Sequence, residues 1–338
     1  MRRGVIARYL IRRIAVYLLT IFGSFTIAFI FFRLIPGDPI RTLFAALEQE
    51  YRYTAGVSID TLEYYRTQLG LDGTLVEQYV RYIGNVLLRF DLGPSLLSFP
   101  TPAQDLIIRA FPWTIGLLGI SVVIAWILGV VIGGLIGWFR NSAISNYLTT
   151  LAIALAQIPQ YIVALLLLFL FAFTLAWLPT RNPYPANTTP SLTIDFILGV
   201  IRHGMLPALS IIIVSLAGWM LSTRSLIVSI LGEDYLLYAQ SKGLPRPHIF
   251  KNYVLRNALL PQVTALAISL GFIVNGALLI ETLFNYPGLG SLLVRAVAIL
   301  DYNTIQGIVL VSIVSVLTAN LLLDLLLPLV DPRIRTGG

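Results

Sequence analysis

Few residues in this 338-residue chain could do chemistry, and their spacing argues against catalysis. The two histidines, His203 and His248, lie far apart at the edges of apolar runs and read as solvated. The two lysines, Lys242 and Lys251, do not follow glycine, so no G-x-x-x-x-G-K-[ST] phosphate loop is present and ATP is not bound in that way. Cysteine is absent, which excludes disulfides, cysteine-ligated zinc, iron–sulfur clusters and thiol catalysis. No metal-ligand cluster and no carboxylate pair sits in the middle of an apolar run. The expectation is a chain that is not an enzyme and carries no metal or cofactor of its own.

What remains is a handful of single polar groups inside apolar runs. Glu281 falls near one end of such a run, and Asp324 follows Asn320 by one turn in another. An ionisable residue inside a membrane is a functional candidate by default. Both acids are near enough to an end to reach water or a neighbouring backbone instead. Gln157 and Gln160 flank Pro159, where they could satisfy carbonyls freed by the proline or face a pathway. Gln157, Gln160, Asn275 and Glu281 are the pathway candidates.

The elements that must position these groups are membrane helices. Hydrophobic residues make up 57% of the chain and charged residues 12%, about half the 25% usual in soluble domains; mean hydropathy is +0.84. So little charge cannot cover a soluble globule. The formal charge of +7 therefore reflects topology rather than nucleic-acid binding. Spans of about 20 apolar residues are needed to cross the hydrocarbon. Six are expected: 14–35, 113–139, 147–178, 205–224, 259–284 and 305–330. The third carries Pro159 and is expected to be kinked or strongly tilted. Glycines 116, 119, 129, 133, 134 and 137 in the second suit close helix packing. The fold class is all-α and polytopic.

Arginine and lysine set the orientation. Arg2, Arg3, Arg8, Arg12 and Arg13 in the tail 1–13, Arg140, the five bases of the 224–260 loop, and Arg333 and Arg335 fall on one side if there are six spans. That side is expected to be cytoplasmic, with both termini inside. Residues 36–112 would then form an external insertion, with helical spacing over Ile59–Leu69 and Leu75–Phe90. In the 224–260 loop, Glu233-Asp234 opens a short amphipathic helix and suits its positive end. Gly243 stops it, and Pro245 and Pro247 bar its continuation. A second short helix is expected from near His248 to Pro261.

Ala239-Gln-Ser-Lys-Gly243, followed by Leu260-Pro261, resembles the EAA loop of ATP-binding-cassette importer permeases. The acidic first residue of that motif falls on Leu237 and its first alanine on Tyr238, so only Ala239 and Gly243 match. The stretch to Pro261 is also longer. Both departures are usual in the dipeptide, oligopeptide and nickel branch. Arg33-Leu-Ile-Pro-Gly-Asp-Pro39, Leu69-Gly-Leu-Asp72, Leu178-Pro-Thr180, Glu281-Thr-Leu-Phe-Asn-Tyr-Pro-Gly-Leu-Gly290, Asp301-Tyr302 with Gln306-Gly307, and Asp331-Pro-Arg333 are similar to the first, B-type, permease of that branch.

The resemblance implies the type I importer permease fold in a prokaryotic cytoplasmic membrane. It also implies a coupling surface at Glu233, Asp234, Leu237, Tyr238, Ala239, Lys242, Gly243 and Leu244. The implied partners are a second, C-type permease, two ATPases carrying ATP and magnesium, an external solute-binding protein and surrounding lipid, with no nucleic acid. The implied cargo is a di- or oligopeptide, with oligosaccharides or nickel chelates as alternatives. An ion-coupled carrier that needs no ATPase is the remote rival.

Overall fold

The computed structural model describes residues 2–34, 40, 59–191, 193–273 and 277–330. In chain order the helices are α1 (Arg2–Leu34), α2 (Ile59–Gln68), α3 (Leu75–Gly84), α4 (Ala103–Trp138), α5 (Ala143–Ala156), α6 (Gln160–Leu167), α7 (Ile194–Ile230), α8 (Asp234–Ser241), α9 (Arg246–Phe272), α10 (Leu278–Leu283), α11 (Leu289–Ala298) and α12 (Tyr302–Val330). Among the described residues five helices are long and apolar enough to cross a membrane, or six if the bent pair α5–α6 is one span. The chain divides into two compact units. One comprises Met1–Thr114, Val274–Leu278 and Pro287–Gly338, the other Ile115–Ile273 and Leu279–Tyr286.

In the first unit α1 and α12 run antiparallel. Tyr17 and Thr318 share a hydroxyl hydrogen bond of 2.8 Å. At the other end Ala28 and Phe32 share a buried cluster with Tyr302 and Ile305. Between α3 and α4 the chain is clamped by one carboxylate. Asp301 is fully buried and accepts from the Ser95 hydroxyl, the Leu96 and Leu97 amides and the Thr304 hydroxyl through one oxygen, and from the Thr304 amide through the other. A buried carboxylate needs such donors, because charge without partners is costly to bury. The Asp301-Tyr302 motif thus ties the insertion to the start of the last span.

Helix α3 starts at a capping box. Glu77 N–H donates to Thr74 Oγ1, and the Glu77 carboxylate accepts from the Thr74 amide at 2.7 Å. That amide holds the Glu77 carboxyl below its ordinary pKa. The Asp72 carboxyl is lowered by its hydrogen-bonded pairing with Arg81. A π-turn, Asn85–Arg89, continues α3. These elements match the expected helices at 59–69 and 75–90.

In the second unit the long helix α7 is the spine. Gly129, Gly133 and Gly137 of α4 form a seam against Trp219–Met220, Met220–Thr223 and Arg224–Ile227 of α7. A Cβ on Gly133 would stand 2.6 Å from the Met220 carbonyl oxygen and 2.9 Å from Thr223 Cβ. Lipid tails are as apolar as leucine, so close backbone approach replaces hydrophobic burial as the driving force. Gly134 meets only ordinary contacts, and Gly116 and Gly119 face open space. Half of the expected glycine face is therefore the seam.

Four boundaries differ from expectation. Helix α4 begins ten residues before 113, at Ala103, and runs through Pro112; the π-turn Ile115–Gly119 follows that proline. The third span is not kinked but broken, by 98° at Pro159. The fourth extends from Ile194 to Ile230, because Thr193 caps it early and Pro207 is absorbed inside the helix. The fifth does not run to 284. Helix α9 ends at Phe272 and α10 is a separate six-residue helix. The matched segments 35–39 and 331–333 lie outside the described residues, as does the insertion from 41 to 58.

Gly133→Leu is expected to lower the melting temperature of the purified protein in detergent, since overpacking costs about 1–3 kcal/mol. Gly116→Ala should leave it unchanged. Equal melting temperatures for Gly133→Leu and wild type would show that the seam does not hold the two helices.

Candidate functional site

After α7 ends, two tight turns reverse the chain, with Gly232 N–H on Ser229 O and Glu233 N–H on Ile230 O, each at 3.0 Å. Glu233 is the extended residue before α8, and Asp234 is in its first turn, where the helix dipole favours negative charge. Eight residues do not hold a helix in water by themselves. Packing supplies the rest. Leu236 and Ala239 are buried in one cluster with Ile227 of α7 and Ile249, Val254 and Ala258 of α9. Asn257 of α9 also donates to the Tyr235 hydroxyl at 3.0 Å.

The opposite face is open. Leu237 and Tyr238 are 63% and 64% exposed. Lys242 places its ammonium 4.5 Å from the centre of the Tyr238 ring. Gly243 has φ +72°, with nothing near the position of a Cβ. Its N–H donates to Gln240 O, and Leu244 N–H returns to Ala239 O, so the last carbonyls of α8 are satisfied. Gly243 is therefore required by its backbone conformation and not by crowding.

Of the eight coupling residues expected, Glu233, Asp234, Leu237, Tyr238, Lys242 and Gly243 lie exposed. Ala239 is buried and Leu244 half-buried, both packed in the cluster that holds the helix. The expected second short helix ending at Pro261 is instead the start of α9, which runs unbroken through Pro261. A π-turn, Phe250–Leu255, lies within α9 before that proline. A groove of about 640 Å³ lies beside α8, between Arg140, Arg246, Gln240 and Leu244. Arg140, by sequence a topology signal, also lines this groove.

The pathway candidates separate. Gln160 donates to Ser215 of α7 at 3.4 Å, and Gln157 is exposed at the end of α5. Glu281 is fully buried, so its carboxylate is closed to a passing solute in this conformation. Asn275 lies outside the described residues. A polar group that was missed is Gln262. It is buried, donates to Ser222 of α7, and its backbone carbonyl accepts from Trp126 Nε1 of α4 at 3.2 Å. Its side-chain oxygen has no partner. The cue was a glutamine next to proline in an apolar run.

Residues 129–336 match the family described as the binding-protein-dependent transport system inner membrane component. The chain belongs to that family. Residues 6–117 match its N-terminal companion. A protein named as a peptide permease in Brucella suis is 34% identical over 328 residues, covering 97% of this chain and 99% of that one. The glutathione transport system permease protein GsiC is 34% identical over 329 residues in Pectobacterium atrosepticum and 32% over 331 in Escherichia coli K12. Each comparison covers 97% of this chain and 98% of the relative. The chain is thus a multi-pass inner-membrane permease subunit of an ATP-binding-cassette importer, with the all-helical type I permease fold.

Gly243→Asn is expected to keep the turn, because asparagine tolerates positive φ, whereas Gly243→Val should disorder it. Amide exchange at Gln240–Leu244 reads this directly. Equal protection in the two variants would remove the backbone argument.

Proposed function

We propose that this chain is the first, B-type, permease of an importer for small peptides, and that α8 is the surface on which a cytoplasmic ATPase docks. The observation that carries the reading is the two-sidedness of α8. Leu237 and Tyr238 face outward, while Leu236 and Ala239 join the helix to both α7 and α9. Exposed apolar and aromatic side chains around a short rigid helix are what a hot spot needs. A push on α8 then acts on α7 and α9 together.

The partners in this reading are a second, C-type permease, two ATPases and an external binding protein that delivers cargo. ATP and magnesium act on the ATPases. This chain contributes half of the pathway and no catalytic residue. Both termini lie in the cytoplasm, with the 36–112 insertion outside. The peptide class rests on the names of the relatives, one a peptide permease and the others permeases for glutathione, itself a tripeptide. ATP binding needs to favour one conformation over the other by about 5.5 kcal/mol to move the pair from 1:99 to 99:1. The permease receives that bias through α8.

In the assembled importer with its binding protein in proteoliposomes, Leu237→Asp is expected to lower peptide-stimulated ATPase activity about tenfold or more, as loss of a 2 kcal/mol contact would. Leu18→Ala, on the exposed face of α1, should not change it. Full stimulation in Leu237→Asp would overturn docking at α8. If the binding protein is stabilised thermally by oligosaccharides or nickel chelates and not by peptides, the cargo assignment fails while the docking stands.

Single cysteines at Glu77 and Lys251 are expected to react with an impermeant maleimide from opposite faces of the membrane. Reaction from the same face would break the orientation.

A further inference from the structure

The pairing of α1 with α12 gives a depth scale for the first unit. Arginines bracket the apolar part of α1, at Arg13 and Arg33, and the 20 residues of rise between them come to roughly 30 Å, the thickness of the hydrocarbon. Tyr17 pairs with Thr318. The antiparallel register then sets Arg33 level with Tyr302 and Arg13 level with Leu322. Helix α12 begins at Tyr302, so the two helices give the same boundary at that end.

On that scale the chain between α2 and α4 does not stay outside. Leu69 packs with Leu96, which binds Asp301, so this layer lies at the boundary. Val86 of the π-turn is buried in one cluster with Phe25 and Leu310, and Ile21 and Val314 pack against the same cluster. Phe25 is eight residues below Arg33 and Leu310 eight below Tyr302, which is roughly 12 Å of helix rise in each case. The return is as regular. Leu92 stands against Gly307, the Asn303 side chain donates to Pro94, and Ser95 donates to Asp301.

Three faces of α3 and its π-turn agree with this depth. Tyr79, Tyr82, Ile83 and Val86 recur at i, i+3, i+4 and i+7 and face α1 and α12; Tyr79 bonds Thr26, and Tyr79 and Tyr82 both lie against Phe29. Glu77 and Arg81 make a polar stripe, and Arg81 is tied back to Asp72. Between them lie Val76 and Val80, continued by Leu87, Leu88 and Phe90, with exposures from 46% to 83%. An exposed apolar face of this kind beside a polar stripe is the pattern of a helix lying in a bilayer interface.

We propose that residues 75–92 form a re-entrant element that dips into the leaflet at the Leu34 end of α1, with Val80, Leu87, Leu88 and Phe90 against lipid acyl chains. The long side chain of Arg89 can reach back to the headgroups. On the far side of α1 from this packing, Leu19 is 74% exposed and serves as a reference for a lipid-facing position. In this arrangement the insertion is part of the membrane wall, and only its remainder is free to meet a binding protein. The proposal depends on the spans and not on which end is cytoplasmic.

The test uses the natural absence of cysteine. Single cysteines at Glu77, Val80, Leu88 and Leu19 are spin-labelled in the assembled importer in proteoliposomes. Collision rates are then measured with oxygen, which partitions into lipid, and with nickel ethylenediaminediacetate, which stays in water. Oxygen should win at Val80 and Leu88, as at Leu19 inside the span, and the nickel reagent should win at Glu77. A nickel preference at Leu88 with an oxygen preference at Leu19 would overturn the proposal and leave the spans intact. A label at Leu88 that is immobile and shielded from both reagents would also overturn it, in favour of cover by a protein subunit. A nickel preference at Leu19 would instead remove the depth scale itself.

Discussion

The hydrocarbon core offers no partner to a backbone amide or carbonyl, and this constraint orders the rest of the structure. Breaking a helix there exposes up to four donors and four acceptors, each costing several kcal/mol. A proline inside a helix costs about 3 kcal/mol. Continuing is therefore cheaper than stopping, and α4, α7 and α9 run through Pro112, Pro207 and Pro261. Pro159 is different because its surroundings satisfy the break locally. Gln157 N–H reaches Ala154 O, Ile158 N–H reaches Leu155 O, and Ile162 N–H reaches Pro159 O. With those groups paired, a bend of 98° is tolerated.

That difference explains which parts of the fold were legible. The six apolar runs, the helices at 59–68 and 75–84, and the start of α8 at Asp234 and its stop at Gly243 could all be read from composition, periodicity and capping chemistry. The boundaries at 103, 194, 230 and 272 could not, because proline and charge interrupt a helix less readily in a membrane protein than in water. His203 shows the point. It reads as the edge of an apolar run, yet it lies within α7 with its Nδ1 2.9 Å from the Gly199 carbonyl oxygen.

The candidate site was legible as a segment but not as a surface. The α8 sequence places Leu236 beside Leu237, and Tyr238 beside Ala239, with nothing in residue type to say which member of each pair turns inward. The decision is made by Ile227 on one flank and Ile249, Val254 and Ala258 on the other, residues that lie up to 22 positions away in the chain. The same holds for Gln262 and Asp301. Each looks like one more polar residue beside an apolar run, and each acquires its role only from partners far along the chain: Ser222 and Trp126 for the first, Ser95 and Leu96 for the second.

The second unit then has a mechanical logic. Helix α8 is fixed to α7 and α9 by one buried cluster. Helix α7 is held to α4 by three glycines at a spacing that admits no side chain, and Gln262 adds a polar tie among α4, α7 and α9. Packed interfaces of this kind move as blocks, since small displacements inside them cost packing without relieving it. A force applied to α8 is therefore spent on displacing these helices together and not on bending α8. Among the places where the regular backbone of this unit is interrupted are the break at Pro159 and the π-turn at Ile115–Gly119, where a Cβ on Gly116 or Gly119 would meet open space. The exposed face of α8 and these interruptions of regular helix are thus set apart within the unit, so that the block carrying α8 is bounded by places where the backbone departs from a straight helix.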